Sequence, residues 1–261
     1  MQIGKPGRAT TAISTADAAS VTVRGRDLCS DLMGRMGFTE YFHLLVTGRA
    51  ATEDQVFFLD LLLVAIAEHG LVPTNQVARM TYDADPGALQ AAVAAGILGC
   101  GSVVLGTSES CGAFLRGAAE RLDAAAGDAE AEMRAYAAGI RRSGGKVPGF
   151  GHPLHKPTDP RAQRILTEAE ARGLGRFTRL ARLAERVVPE VWERTLPMNV
   201  SMAIAAVLLD LGFPSAMLKA IPILARTASL LAHLSEEAEN PIGFRMAAEA
   251  EAAITYEGEG S

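Results

Sequence analysis

Cysteine, aromatic residues and alternating β-branched residues are all scarce in this chain of 261 residues, and each scarcity excludes something. The three cysteines, Cys29, Cys100 and Cys111, are odd in number and their spacing makes neither a disulfide frame nor a zinc site. A reducing compartment is therefore expected, with Cys100 and Cys111 as small packing residues. Aromatics make up only 5% of the chain, and period-two alternation is nearly confined to "SVTVRG" at 20–25, so a β-rich fold is excluded. The formal net charge of -5 gives no basic footprint for nucleic acid or an anionic membrane. The longest apolar run, "VFFLDLLLVAIA", carries Asp60 and is too short to span a bilayer. "MQIGKPGRAT" lacks the apolar core of a secretory leader, and a cytoplasmic location is expected.

What is present is helix. Hydrophobic residues make up 49% of the chain and charged ones 21%, enough for a real core. "RDLCSDLMGRM" reads as a first helix, "FTEYFHLLVTG" as one stopped by Gly48, and "TEDQVFFLDLLLVAIAEHG" as a buried one stopped by Gly70. "PTNQVARMTYDA" is shorter. "GALQAAVAAGILGCGSVVLG" has small residues on almost every face, which predicts a central helix crossing its neighbours closely. "ESCGAFLRGAAERLDAAAG" and "DAEAEMRAYAAGIRRSGG" are amphipathic. "DPRAQRILTEAEARG", "FTRLARLAERVVPEVWERT", "LPMNVSMAIAAVLLDLGFP" and "SAMLKAIPILARTASLLAHLSEEAE" follow, with Pro222 a kink or boundary. The fold class read from this is all-α, with about ten helices.

One stretch breaks the pattern: "KVPGFGHPLHKPTDPRA", 146–162. Its turns hold His152, His155 and Lys156. Asp159 is placed to cap the next helix and Pro160 to occupy its first position. N–H groups at such a helix start favour an anion, and Arg161 can grip a carboxylate through two nitrogens. The plainer alternative is a structural loop with solvated histidines and a surface arginine. His69, where the third helix stops, is either a helix-end group or a site residue. Arg226, among apolar neighbours, needs a buried partner: an internal carboxylate or an anionic ligand. The 152/155 pair has no carboxylate at ligand spacing, so no metal is expected. "GILGCG" has no preceding strand and is not a phosphate loop. His43 and His233 read as structural.

These residues, taken in order, resemble the citrate synthase superfamily. "PGFGHPLHKPTDPRA" is similar to that family's Gly-Phe-Gly-His segment with its following Lys and Asp-Pro-Arg. "VTVRGRDLCSDL", "FTEYFHLLVTGRAATEDQ", "AEHG", "PMNVSMA" and "LARTASLLAHLSEE" resemble five further segments in family order across nearly the whole chain. The short length and "EHG" resemble the citryl-CoA lyase branch, the module that closes ATP-citrate lyase. The resemblance implies a large helical domain (1–115, completed by 222–261) with a smaller inserted helical domain (116–221), and an intimate homodimer. It implies that His69 and His152 contact the oxo-acid and the acyl carbonyl. It places Arg161 in the active site, makes Arg226 a carboxylate ligand, and has Arg245 reach into the site of a second copy. Lys156 and His155 are implied to lie near coenzyme A, which is a substrate ester; no permanently bound cofactor is implied.

Two positions depart from the family. Its Gly-Pro-x-His-Gly-Gly histidine falls on Glu109 in "LGTSESCGAF", and its Asn-Val-Asp aspartate falls on Ser201. Making a C–C bond from acetyl-CoA needs a base for a weak carbon acid and a donor for the enolate oxygen. Ser201 is no such base unaided; Glu109 is one only if burial raises its pKa, and is otherwise a solvated carboxylate at a helix start. Cleavage begins with a hydroxyl proton, which His152 or His69 can take. The leading expectation is a citryl-CoA lyase-like enzyme that splits a β-hydroxyacyl-CoA into acetyl-CoA and an oxo-acid such as oxaloacetate, with Glu109 in a new role. The alternatives are a citrate synthase-type condensing enzyme, a thioesterase, or a silent CoA- or carboxylate-binding regulator. A partner enzyme that forms the CoA ester is a further expectation.

Overall fold

The computed structural model describes residues 9–125 and 127–258. The first eight residues, where the leader was sought, position 126, and the last three residues of the acidic tail lie outside that set. The chain divides into two compact units, Met1–Asp60 and Leu61–Ser261, with the division falling inside a helix.

In the first unit, β1 (Ser14–Ala16), β2 (Val21–Val23) and β3 (Arg26–Asp27) form an antiparallel three-stranded sheet in the order β1-β2-β3. The strand expected at 20–25 is β2. The helix expected from "RDLCSDLMGRM" is not there. Its first two residues are β3, and only Leu28–Leu32 coil, as a π-helical turn. The Asp27 side chain accepts the N–H groups of Cys29 and Ser30, which closes a tight turn, and Met33 returns to extended backbone (ψ 127). Helix α1 (Phe38–Thr47) follows. Val23, Leu32 and Leu44 make a small apolar core here. The division falls within α2 (Glu53–Ala67), where Phe58, Leu59 and Leu62 are buried but Val64 is 79% exposed, so this helix is not covered on all sides as its composition predicts.

Apart from one isolated bridge, the regular elements of the second unit are helices among its described residues: α3 (Pro73–Ala84), α4 (Leu89–Leu98), α5 (Thr107–Ala124), α6 (Ala129–Arg142), α7 (Pro160–Ala171), α8 (Arg176–Trp192), α9 (Val200–Asp210), α10 (Ala220–Glu239) and α11 (Gly243–Ala252). They fall into two packing groups. Helices α3, α4, α10 and α11 pack together around Ala78, Ala92, Leu230 and Leu234. Helices α5 to α9 pack on one another, with α9 buried along Met202–Leu208. Each large apolar side chain so buried contributes roughly 1.5–3 kcal/mol. Pro222 lies in the first turn of α10, where a missing N–H costs nothing.

The small residues of α4 serve a close approach on one side only. A Cβ on Gly96 would lie 2.7 Å from Leu230 and 3.0 Å from the Thr74 carbonyl. The opposite side is open: Leu98 is 86% exposed, and α4 ends there instead of running on through "GCGSVVLG". Ser215–Glu239 has a mean hydropathy of 1.3 and would by length and composition cross a membrane. Its inner residues instead lie buried against α3 and α4, and it carries the buried Arg226.

Candidate active site

The Gly/Pro loop is pinned from both ends. Gly149 has φ +79, a left-handed conformation, and a Cβ there would lie 2.8 Å from Cys111 Sγ and 2.9 Å from Met202 Cβ. Only glycine lets the backbone press onto α5 and α9 at this point. Beyond it the Asn199 N–H donates to the Gly149 carbonyl (2.8 Å), the Gly151 N–H donates to the Pro197 carbonyl (2.8 Å), and Phe150 pairs with Met198 as an antiparallel bridge. Asn199 Nδ2 adds a bond to the Gly151 carbonyl (3.1 Å), while its Oδ1 caps α9 by accepting Ser201 N–H. Asn199 therefore fixes both the loop and the helix start. In the sequence Asn199 stood out only as the first residue of the stretch that resembles the family's Asn-Val-Asp, with nothing to show that it would tie the loop.

Asp159 makes the second joint. It caps α7, as its sequence position predicts, with Pro160 in the first turn. Its Oδ1 accepts Arg161 N–H (3.0 Å) and Nε (3.1 Å). Its Oδ2 accepts Arg161 Nη2 (2.9 Å) and the Val200 N–H (3.1 Å). One buried carboxylate thus ties the starts of α7 and α9 together. Burial pushes its pKa up, but the Arg161 hydrogen bonds and charge outweigh that and hold it below the usual carboxylate value.

Three histidines meet above this joint. His69, just past the end of α2, places its Nε2 3.2 Å from His155 Nε2. His152 stacks on His155 with centroids 4.3 Å apart, and the His69 and His152 centroids are 5.3 Å apart. His152 Nδ1 accepts the N–H groups of Leu154 (3.1 Å) and His155 (3.0 Å). A nitrogen that accepts two N–H groups carries no proton of its own, so neutral His152 is the Nε2–H tautomer, a donor. Burial, helped by the other histidines and Arg161, lowers the pKa of both His69 and His152. Ligand nitrogens of the three rings lie within 4.8 Å of one another, a convergence that the 152/155 spacing does not reveal. For His152 to bind a metal through Nε2, its Nδ1 would need a proton, and the two backbone bonds would be lost. The donor set therefore fits proton chemistry better than a metal.

The His69 and His152 rings line a cavity of about 550 Å³, together with Arg161, Asn199, Ser201 and Arg226; His155 touches both rings but does not line it. That is ample for the reacting end of a ligand. Arg226 is 2% exposed. One Nη donates to Asn75 Oδ1 (2.6 Å) and Ser229 Oγ (3.2 Å), while its buried Nε has no partner among the described residues. Burial lowers its pKa against the opposing charge of Glu68. Glu68 does not touch it: it accepts Ser229 Oγ (2.6 Å) and the N–H groups of His69 and Gly70. The direct internal carboxylate offered as one reading of Arg226 is absent among the described residues, and this cavity-lining arginine keeps hydrogen-bonding capacity for an anion.

Four expected site residues do not line this cavity: His155, Glu109, Lys156 and Arg245, the last of which was expected in the site of a second copy. Glu109 is exposed and does not line it. Thr107 does, and two residues further along a helix points about 200° away. Glu109 is therefore the solvated first-turn carboxylate of α5, not a buried acid. Lys156 is exposed beside the cavity loop, and Arg245 is exposed on α11. Sequence reasoning passed over Asn75, Glu68 and Ser229, polar residues in helical text that acquire a meaning only once α3 and α10 pack around Arg226.

The family described as citrate synthase, C-terminal domain, matches residues 50–246. A Mycobacterium tuberculosis protein named "Putative citrate synthase 2" is 30% identical over 185 residues, 69% of this chain; the chain spans only 47% of that relative. Among solved structures, citryl-CoA lyase from Hydrogenobacter thermophilus superposes with a TM-score of 0.84 at 25% identity, covering 97% of this chain and 96% of the other. ATP citrate lyase from Methanothrix soehngenii, in complex with citrate and coenzyme A, gives 0.75 at 22%, covering 91% of this chain and 40% of the other. The helical fold, the pinned histidine loop and the buried arginine stand with the family match, and the chain belongs to the citrate synthase family.

Proposed function

We propose that this chain is a citryl-CoA lyase-like enzyme that splits a β-hydroxyacyl-CoA such as citryl-CoA into acetyl-CoA and an oxo-acid such as oxaloacetate. The observation that carries this reading is the end-to-end likeness to a citryl-CoA lyase, against a likeness to only about half of the relative named as a citrate synthase. The site supplies the parts. Arg226 Nε and the outer edge of Arg161 receive the carboxylates of the oxo-acid half. His152 Nε2–H donates to the oxygen that gains charge, the thioester carbonyl becoming an enolate. Neutral His69 takes the hydroxyl proton as the C–C bond breaks, and the electrons of that bond pass to the acetyl-CoA enolate. The same proton then suffices for the enolate carbon, so no separate acid is required and Glu109 is not needed. Exposed Leu154 (72%) and Val103 (88%) give the cavity an apolar rim suited to the thioester arm.

Exposed Arg245 fits a role in the cavity of a second copy, which makes the working form a homodimer. Mixing Arg245→Ala with His152→Ala chains tests this, because hybrid dimers regain one intact site. A partner enzyme that forms the CoA ester accords with the likeness to part of an ATP citrate lyase. The direct test is incubation with (3S)-citryl-CoA beside other β-hydroxyacyl-CoAs, with products read by mass spectrometry. A shorter acyl-CoA plus an oxo-acid supports cleavage. Free CoA alone would make the protein a thioesterase, and binding without turnover a regulator.

A further inference from the structure

His155 has so far been only a neighbour of the reacting groups, and its contact with His69 asks for a role. The two Nε2 atoms are 3.2 Å apart, the rings are perpendicular, and their centroids are 5.4 Å apart. Two lone pairs cannot face each other at that distance without repulsion, and neither can two N–H groups. One proton must lie between them. We propose that His155 is a positioning residue: it accepts the Nε2–H of His69, fixes the tautomer of His69, and leaves His69 Nδ1 as the base nitrogen. This rests on the lyase reading for what His69 does with that nitrogen, though not for the hydrogen bond itself.

One observation and two chemical arguments favour that direction. His155 is itself held in place. Its backbone N–H is fixed by His152 Nδ1, and its ring stacks on His152 at 4.3 Å with 30° between planes, so its Nε2 is an anchored partner. His152 is already committed as a donor, so a base must come from the other two rings. A ring that donates through one nitrogen while the other is bare also becomes a better base, because the charge it gains on protonation is met by a waiting acceptor. The step balances. The substrate hydroxyl proton moves to His69 Nδ1, the C–C bond breaks, its electrons form the enolate, and Nδ1 returns the proton to carbon. The Nε2 proton stays between His69 and His155 throughout.

The test uses the full-length protein labelled with nitrogen-15 and needs no substrate at first. Long-range proton–nitrogen correlation reads the tautomer of each ring, with His69→Gln and His155→Phe spectra providing the assignment. His69 is expected as Nε2–H. In His155→Phe, which keeps a ring against His152 but removes the acceptor, a mixture of His69 tautomers is expected. With turnover, kcat falls about 10- to 100-fold while KM changes little, part of what general-base catalysis supplies. His155→Gln, whose side-chain oxygen can accept the same proton, restores most of the loss. An Nδ1–H tautomer for His69 in the wild-type protein overturns the proposal, as does an unchanged tautomer and kcat in His155→Phe. The expected tautomer in a protein that cleaves no acyl-CoA leaves the pairing intact and removes the lyase reading instead.

Discussion

His152 Nδ1 accepts the backbone N–H of His155 at 3.0 Å and that of Leu154 at 3.1 Å, so the turn that shapes the loop also decides which end of His152 can act. Asparagine at 152 can still accept an N–H two residues on, but offers no donor at the reach of Nε2. His152→Asn is therefore expected to fold normally by circular dichroism and to lose about 10²–10³ in kcat, the usual cost of one oxyanion donor. A loss of under about threefold would remove His152 from the reaction.

The histidine pKa shifts set an acid limit. Burial first lowers the values of both His69 and His152 below 6.5; Arg161 and then His155 add to it at His69, and His155 adds to it at His152, where Asp159 pulls the other way. Above 6.5 both rings are neutral, folded or unfolded. As pH falls below 6.5 the unfolded chain takes up protons that the folded site resists, so stability declines toward the folded values. Turnover follows the folded values: kcat/KM is expected to stay flat through pH 6.5 and to fall only further into acid. A limb centred above 6.5 would contradict neutral, desolvated rings.

Arg226 tests the anion. Its Nε is buried without a partner, and its Nη bonds to Asn75 and Ser229 are neutral. Losing charged hydrogen bonds of about 1.5–3 kcal/mol predicts roughly 10- to 150-fold weaker oxaloacetate binding in Arg226→Gln by calorimetry. Equal affinity would move the carboxylate elsewhere, with Arg161 the next arginine on the cavity wall.

Ser201 lines the cavity in the first turn of α9 at the place where the resemblance puts an aspartate. Ser201→Asp is expected to add a base there and to give measurable release of CoA from acetyl-CoA plus oxaloacetate, followed with a thiol reagent. Citrate must appear in equal amount; CoA without citrate would be hydrolysis.

Asp159→Asn keeps the shape but not the charge. Breaking a buried pair costs about 3–5 kcal/mol, so a large drop in melting temperature is expected. The wild-type protein should lose the same contribution only in strong acid. The carboxylate is held below its ordinary 3.8 by Arg161, so its stabilisation is complete above that value and disappears as pH falls through the lower folded one.

Much of this site was legible because turn chemistry is local. The Gly/Pro turns, the Asp159 cap and Pro160 in the first turn follow from what the backbone permits, whereas the close approach that Gly149 allows comes from α5 and α9, far away in sequence. His69 and Arg226 could be named from where their helices end or turn apolar, but their partners come from segments far apart in sequence. Glu109 failed for a different reason: alignment along a chain fixes a position but not the side of the helix it faces. The same ambiguity affected α4, where small residues announced a close contact at Gly96 without saying that the opposite side lies open. "RDLCSDLMGRM" misled because helical spacing over so few residues is also met by a strand end and one capped turn.

The carboxylate of Asp159 closes the ends of two helices while holding Arg161 for a ligand, so structure and chemistry here draw on a single side chain. In a library of random substitutions, position 159 will sort with the apolar interior, through lost expression, even though its residue is charged. Position 152, seven residues earlier, will sort through lost turnover in well-expressed protein. Abundance and activity scored side by side would thus divide one short loop into residues that hold the protein together and residues that work.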